Sequence, residues 1–233
     1  MNVAIIPARG GSKRIPKKNI KLFAGKPLIS YSIAAALKCG LFDKVAVSTD
    51  SPEIAELARS FGAETPFMRP PELSGDFTPN QEVLSHAYDF MKAAHGEIGL
   101  FGCIYSTAPF IRAEEIRKAQ ARLQSTPEAS SIYAVASFPY PILRAIRIKE
   151  GGFVEMLWPE HELTRSNELP ECYHDAGQFY LFKGSEFEKR RRLIDPFAIA
   201  HVLPRFMVQD IDTEEDWHTA ELLFETARQR GLI

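Results

Sequence analysis

Val3-Ala4-Ile5-Ile6-Pro7-Ala8-Arg9-Gly10-Gly11-Ser12-Lys13-Arg14-Ile15-Pro16-Lys17-Lys18-Asn19 opens the chain, and its two halves differ in character. The run Val3 to Ile6 is short, apolar and largely β-branched, the composition of a strand buried on both faces. The second half puts two adjacent glycines beside five cations, Arg9, Lys13, Arg14, Lys17 and Lys18. Glycine lets a backbone come close to a ligand, and cations around such a turn suit a polyphosphate. A solvated basic turn is the plainer reading of a short Gly-Lys cluster. Position argues against it, because the carboxyl ends of strands are where open parallel sheets bind their ligands. Neither Gly-x-Gly-x-x-Gly nor Gly-x-x-x-x-Gly-Lys-Ser/Thr occurs, which disfavours a dinucleotide oxidoreductase and a kinase-type NTPase.

Working outward, the chain alternates strand, loop and helix. Pro27-Leu28-Ile29 opens a helix running to Lys38, with helical apolar spacing and Gly40 as a stop. Lys44 to Thr49 reads as a strand, and Ser51-Pro52-Glu53 starts a helix with a capping serine, a first-turn proline and a glutamate at the positive end. Glu64 to Phe67 reads as a short strand, and the two prolines of Arg69-Pro70-Pro71-Glu72-Leu73 force a loop after it. A helix over Gln81 to Ala94, a central strand over Gly99 to Tyr105 and a helix over Ala113 to Gln124 follow. Four strand-loop-helix units imply an α/β, mainly parallel Rossmann-like sheet flanked by helices.

The rhythm then changes. Ile132 to Ser137 is a strand, but Arg144 to Lys149 alternates in polarity and reaches Gly151-Gly152 before Phe153 to Trp158. That is a hairpin with one wet face, placed outside the main sheet as an inserted arm over 139–171 of a single domain spanning 1–233. Cys172 to Phe182 returns as a core strand, Ala200 to Leu203 and Phe206 to Gln209 read as the last short strands, and a helix closes the chain from Glu214 to Arg230. The run Lys189-Arg190-Arg191-Arg192 reads as a solvated surface, since a charge run alone specifies no ligand.

A length of 233 residues with 45% hydrophobic content allows one large core, and a net charge of -2 gives no global attraction to nucleic acid or to an acidic membrane. The three cysteines, Cys39, Cys103 and Cys172, show no metal or disulfide spacing, which fits reduced thiols in a cytoplasm. No window approaches the roughly 20 apolar residues of a membrane span, and no leader-like segment precedes the first strand, so a soluble, unexported protein is expected.

Asp210 and Asp212 are one residue apart at the end of an expected strand, where the two-residue period puts both carboxylates on one side. Such a pair suits Mg2+, which takes one or two carboxylates together with phosphate oxygens and water. Capping of the last helix could account for Asp212 but not for Asp210. A cationic loop for a triphosphate and a carboxylate pair for a metal together point to nucleotidyl transfer.

The opening stretch resembles the signature of the CMP-sugar synthetases, the cytidylyltransferases that activate sialic and related nine-carbon acids. The resemblance continues through Ser48-Thr49-Asp50, Arg69-Pro70-Pro71-Glu72-Leu73, Asp175-Ala176-Gly177-Gln178-Phe179-Tyr180 and Asp210-Ile211-Asp212-Thr213, so it covers nearly the whole chain. It implies a nucleotide-diphospho-sugar-transferase type of fold and the use of CTP with a nonulosonic acid. Catalysis is assigned to Arg9, Lys13, Lys18, Asp210 and Asp212, with Mg2+ on the two aspartates. The nucleotide falls to Ala8, Arg9, Gly10, Gly11, Ser12, Lys13, Lys18, Asn19 and Arg69, and the arm is implied to build a homodimer.

Two departures from the sialic acid enzymes point to the pseudaminic acid branch. Those enzymes carry Gln-Pro-Thr-Ser-Pro-Leu-Arg where this chain has Tyr105-Ser106-Thr107-Ala108-Pro109-Phe110-Ile111-Arg112, and an Asn-Gly-Ala type of sequence near Tyr173 to Tyr180. Tyr105, Thr107, Asp175, Gln178, Phe179 and Tyr180 are accordingly expected to face the sugar acid, with Phe110 helping to make the pocket apolar. A metal-bound hydroxide, one of the paired aspartates or His174 could act as general base. A CMP-sialic acid synthetase, another sugar nucleotidyltransferase and a non-catalytic nucleotide-binding regulator are the competing readings.

Overall fold

The computed structural model describes residues 1–233. Its elements run β1 (Val3–Pro7), a small ribbon of β2 (Leu22–Phe23) and β3 (Lys26–Pro27), α1 (Leu28–Lys38), β4 (Lys44–Ser48), α2 (Pro52–Ser60), α3 (Asn80–His95) and β5 (Leu100–Ile104). There follow α4 (Ala113–Gln124), β6 (Ser131–Ser137), β7 (Ile146–Ile148), β8 (Val154–Met156), β9 (Tyr173–Lys183), α5 (Gly184–Arg190), β10 (Ala198–Val202) and α6 (Glu214–Gln229).

The main sheet has six strands in the order β10-β6-β9-β5-β1-β4. β1 pairs in parallel with β4 and β5, and β10 in parallel with β6, while β9 runs antiparallel between β5 and β6. The sheet is therefore mainly parallel, as expected, with one reversed strand that joins two parallel halves. Because β9 is reversed, its amino-terminal end lies at the carboxyl ends of β1 and β5, and it delivers His174 to Gly177 to that edge.

Two expected strands are absent. Glu64 to Phe67 makes only a single bridge to the edge, Ala46 to Glu64, and the next, Thr49 to Met68, lies just beyond it, because Pro66 between them has no N–H to give the ladder. Phe206 to Gln209 is not a strand either: Arg205–Met207 forms a 3-10 turn, and an irregular segment leads to α6. The expectation for Asp210 and Asp212 survives for a different reason. Ile211 between them is fully buried, and that anchor leaves both flanking carboxylates on the open side.

Both faces of the sheet are covered. One apolar cluster joins Ala4, Ile6 and Leu181 to α1 and α4, and another joins Val3, Ile5, Phe101 and Tyr180 to α3 and Phe187. A third cluster matters more for function. It gathers Ile15 of the basic loop, Phe110 of the loop after β5, Ile211 of the acidic turn, and Trp217 and Phe224 of α6. One apolar nucleus thus fixes the basic loop and the carboxylate pair relative to each other, and edge-on ring pairs such as Phe23 with Trp217 and with Phe224 stiffen it.

The arm is a separate two-stranded sheet in which Ile146 pairs with Met156 and Ile148 with Val154. The cationic run at the end of α5 is only partly the solvated surface expected: Lys189 and Arg192 are exposed, whereas Arg191 is half-buried over Tyr88 and bonds Asp89 at 2.6 Å, and half-buried Arg190 pairs with Glu186 at 3.1 Å. No helix is long and apolar enough to cross a membrane.

Candidate active site

Two adjoining pockets lie at the carboxyl edge of the parallel strands. The first encloses about 300 Å³ and is lined on one side by Arg9, Ser12, Lys13, Arg14, Lys18 and Asn19, and on the other by Arg69, Asp76, Asn80, Tyr105 and Thr107. The second encloses about 610 Å³ between Tyr105, His174, Asp175 and Gly177 and the segment carrying Asp210, Asp212 and Asp216.

The basic loop is held by its backbone. Ala8 N–H donates to Ser48 O at 2.9 Å, Gly10 N–H to Asp50 Oδ1 at 2.8 Å, and Asn19 Nδ2 to Arg9 O at 2.9 Å. Neither adjacent glycine has a positive φ. A side chain at position 10 would press on Ser51 Cβ at 3.0 Å, whereas position 11 opens on free space, so Gly10 serves a close chain approach and Gly11 leaves room. The left-handed residue of the loop is Lys17, at φ 54°. That turn aims its ammonium at Glu53, 2.8 Å away, and takes it out of the pocket.

The other four cations of the loop face the pocket already partly matched. Arg9 bonds Asp76 at 2.6 Å and Lys13 pairs with the same carboxylate, whose pKa is lowered by hydrogen bonds from Lys13 and Arg9. Arg14 and Lys18 reach Asp212 at 2.9 and 3.4 Å, and Lys18 Nζ donates to Ile211 O at 2.6 Å. Arg69 is only 6% exposed; its Nε donates to Ser48 Oγ at 3.1 Å, and burial brings its pKa down to about 10.

The acidic pocket is shaped by a bulge in β9. The register against β6 shifts between Tyr133 and Val135, and Gly177 opposite takes φ 59°, which a side chain would resist. Gly177 N–H donates to Asp175 Oδ1 at 2.8 Å, and the Tyr180 hydroxyl donates to the other oxygen. Loss of hydration raises the Asp175 pKa, and Asp210 adds to the rise. Asp210 is raised too, first by loss of hydration and then by Asp212. Asp212 is not the cap of α6: that is Thr213, which forms a reciprocal box with Asp216.

Arg9, Ser12, Lys13, Lys18, Asn19 and Arg69 come together around the first pocket, and Tyr105, Asp175, Asp210 and Asp212 around the second. Other expected positions lie elsewhere. Ala8 is buried and Gly10 is engaged with Asp50, so both shape the loop from behind. Thr107 belongs to the first pocket, not to the sugar side. Gln178 is buried with its amide on Met207 O, Phe179 packs in the core beside Leu181, and Tyr180 stands behind Asp175. Phe110 is core as well, in the cluster that holds Ile211. Sequence reasoning missed Asp50, Asp76 and Asn80. The Gly75-Asp76 turn and the Pro79-Asn80 helix start were the available signals, and neither specifies a partner across the fold.

No group of three or more His, Cys, Asp or Glu side chains is arranged to hold a metal by itself. The site instead fits a hard cation held by one or two carboxylates and completed by phosphate oxygens and water. Asp210 has no cation within ion-pair distance, in contrast to Asp212.

The Cytidylyltransferase family model matches residues 3–217. Among curated proteins, the chain is 39% identical over 224 residues to a pseudaminic acid cytidylyltransferase of Campylobacter jejuni, covering 96% of each. It is 31% identical to a CMP-N,N'-diacetyllegionaminic acid synthase of Legionella pneumophila, with 99% of each covered. Among solved structures it resembles a CMP:2-keto-3-deoxy-manno-octonic acid synthetase complexed with CTP, with TM-score 0.68 at 15% identity over 97% of this chain and 99% of that one, a likeness of fold.

Proposed function

The chain belongs to the cytidylyltransferase family, and we propose that it transfers CMP from CTP to the anomeric hydroxyl of a nine-carbon keto-sugar acid, pseudaminic acid, with release of pyrophosphate. The observation that carries this reading is the meeting of a cation-lined pocket and a carboxylate-lined pocket at Tyr105. A triphosphate suits the first, where its oxygens would exchange with the Asp76 carboxylate on Arg9 and Lys13. The anomeric oxygen bonds to the α-phosphorus, the α–β bridge breaks, and Arg9, Lys13, Arg14 and Lys18 are placed to offset charge on the departing pyrophosphate. Asp210 and His174 in the second pocket are acceptors for the anomeric proton.

Both reactants are anions, yet the pocket proposed for the sugar acid presents Asp175, Asp210 and Asp212. A divalent cation reconciles those charges. Asp210 and Asp212 would hold Mg2+ with phosphate oxygens, and the ion would supply Lewis-acid polarisation of the transferring phosphoryl group. The setting we propose is the cytoplasm, supported by three free cysteines, of which Cys39 and Cys103 are buried.

With Phe110 and Phe179 in the core, the pocket is more polar than an apolar reading required, and substrate choice falls to Tyr105 and Asp175. Asp175 is an acceptor for sugar hydroxyl or acylamino N–H groups. Under saturating CTP and Mg2+, kcat/KM for pseudaminic acid should exceed that for sialic acid by roughly 10- to 100-fold. A preference for sialic acid would move the assignment to the sialic branch, and absence of pyrophosphate release with any nonulosonic acid would remove the transfer reading.

We further propose that a second copy of this chain covers the arm. In the β7–β8 register Ile146, Ile148, Val154 and Met156 share one face, of which the first three are 55, 76 and 63% exposed, while Arg147 and Glu155 bond at 2.6 Å on the other. An isolated hairpin is marginal in water, so an apolar face on one calls for a partner. Sedimentation at micromolar concentration should report a dimer, and Ile148→Lys should yield monomers; a monomeric parent chain refutes the proposal.

A further inference from the structure

Tyr105 is the one side chain common to the linings of both pockets, so in the proposed transfer the α-phosphate and the anomeric oxygen would meet beside it. Its main chain is fixed on both sides: the N–H donates to Gln178 O at 2.9 Å, and the carbonyl accepts from Ser32 Oγ at 2.7 Å. The ring lies 5.8 Å from that of Tyr180, which in turn stacks on Tyr133 at 5.4 Å and 11°. Burial keeps its pKa well above the ordinary phenol value, so the group stays protonated through any working pH.

The phenol oxygen has one partner, Asn80 Nδ2, at 3.0 Å. Asn80 is the first residue of α3, and it does not cap that helix, whose N-cap is Pro79 with no side-chain bond. The amide nitrogen can only donate, so the tyrosine oxygen must accept, and its own O–H remains free to point elsewhere. We infer that Asn80 is a positioning residue that holds the Tyr105 hydroxyl as a hydrogen-bond donor at the junction of the two pockets, directed at a non-bridging oxygen of the α-phosphate during transfer. No proton moves to or from the tyrosine; the neutral donor offsets charge that builds on the phosphoryl oxygens in the transition state. This inference rests on the proposed CMP transfer.

A double-mutant cycle tests it, with kcat and KM measured by pyrophosphate release from CTP and pseudaminic acid, and with CTP binding followed separately by calorimetry. Tyr105→Phe should lower kcat on the order of a hundredfold. Asn80→Ala should lower it about tenfold, as loss of a supporting partner does. In the Tyr105→Phe background, Asn80→Ala should change kcat by less than about twofold, because it acts through the absent hydroxyl. CTP affinity should stay within about twofold in all variants, since the effect belongs to the transition state. Should Asn80→Ala lose its fold, Asn80→Ser replaces it and keeps a polar group at the helix start. Full kcat in Tyr105→Phe, multiplying losses in the double variant, or a loss confined to KM would each overturn the inference and leave the transfer reading standing. A parent chain with no turnover would remove the transfer reading and this inference with it.

Discussion

Asp210→Asn is expected to lower kcat/KM by about 10²- to 10³-fold and to move the Mg2+ titration midpoint to higher concentration, because in the proposed site the lost carboxylate would hold the ion that supplies several kcal/mol of phosphoryl charge stabilisation. The two aspartates of the pair are not equivalent. Asp212 already has Arg14 at 2.9 Å and Lys18 at 3.4 Å, whereas Asp210 faces the acidic pocket with no cation partner. An unpartnered carboxylate whose pKa is raised by loss of hydration and by a neighbouring carboxylate gains most from a bound cation. A proton competes for it at higher pH than for an ordinary carboxylate, so the Mg2+ requirement should rise as pH falls through that raised value. The sign for stability runs the other way. A carboxyl whose folded-state pKa is raised costs stability when ionised, fully above that pKa and not at all below its unfolded value. Asp210→Asn should therefore unfold at the same temperature as the parent chain or higher at neutral pH, which separates loss of function from loss of fold. An unchanged Mg2+ midpoint together with parental kcat would leave Asp210 outside the metal site.

Much of this arrangement was readable in the sequence where local physics decides. Helical spacing placed α1 over Leu28–Lys38 and α4 over Ala113–Gln124, and Ser51 caps α2 as its residue type implies, accepting from Ile54 N–H at 3.4 Å. The basic loop and the carboxylate pair were found because charge in a short apolar context is conspicuous. What resisted reading was set by long-range pairing. No local pattern states that β9 lies antiparallel between β5 and β6. The run from Phe179 to Phe182 is apolar at every position because the sheet is covered on both faces, and such a run hides its parity. Parity decides function here: Phe179 and Leu181 face one apolar cluster, Tyr180 and Phe182 the other, and the pocket receives instead the polar residues before the Gly177 bulge.

The cations show the same limit. Five of them crowd a stretch of ten residues from Arg9 to Lys18, and their roles separate only through partners far along the chain. Lys17 is diverted to Glu53, Arg9 and Lys13 share Asp76, and Lys18 reaches across to the turn before α6. Asp76 and Asn80 could not be ranked from sequence, since a Gly-Asp turn and an asparagine at a helix start are ordinary local features.

Lys18→Met is expected to be the most damaging change in the basic loop. The ammonium has three donors; one bonds Ile211 O at 2.6 Å, another approaches Asp212 at 3.4 Å, and the third is left for the pocket that Lys18 lines. With its side chain only 18% exposed, Lys18 is weakly screened, unlike Lys13 at 78%. Methionine keeps the length and removes both the charge proposed for the phosphates and the strap that ties the basic loop to the acidic turn. Loss of the charged hydrogen bond should destabilise the fold by about 1.5 to 3 kcal/mol, read as a lower Tm. Turnover should fall further than that, on the order of 10³-fold in kcat/KM for CTP, because the cation proposed to meet the leaving pyrophosphate and the placement of Asp212 would be lost together. Lys18→Arg should not restore it, since a planar fork cannot reproduce a compact three-donor head in the same space. Lys13→Ala provides the contrast: an exposed, salt-screened partner of Asp76 whose loss should raise KM for CTP modestly, more at low ionic strength, with Tm unchanged. If Lys18→Met kept parental kcat/KM while Lys13→Ala did not, the triphosphate would have to lie along Arg9 and Lys13, away from the turn that carries the two aspartates.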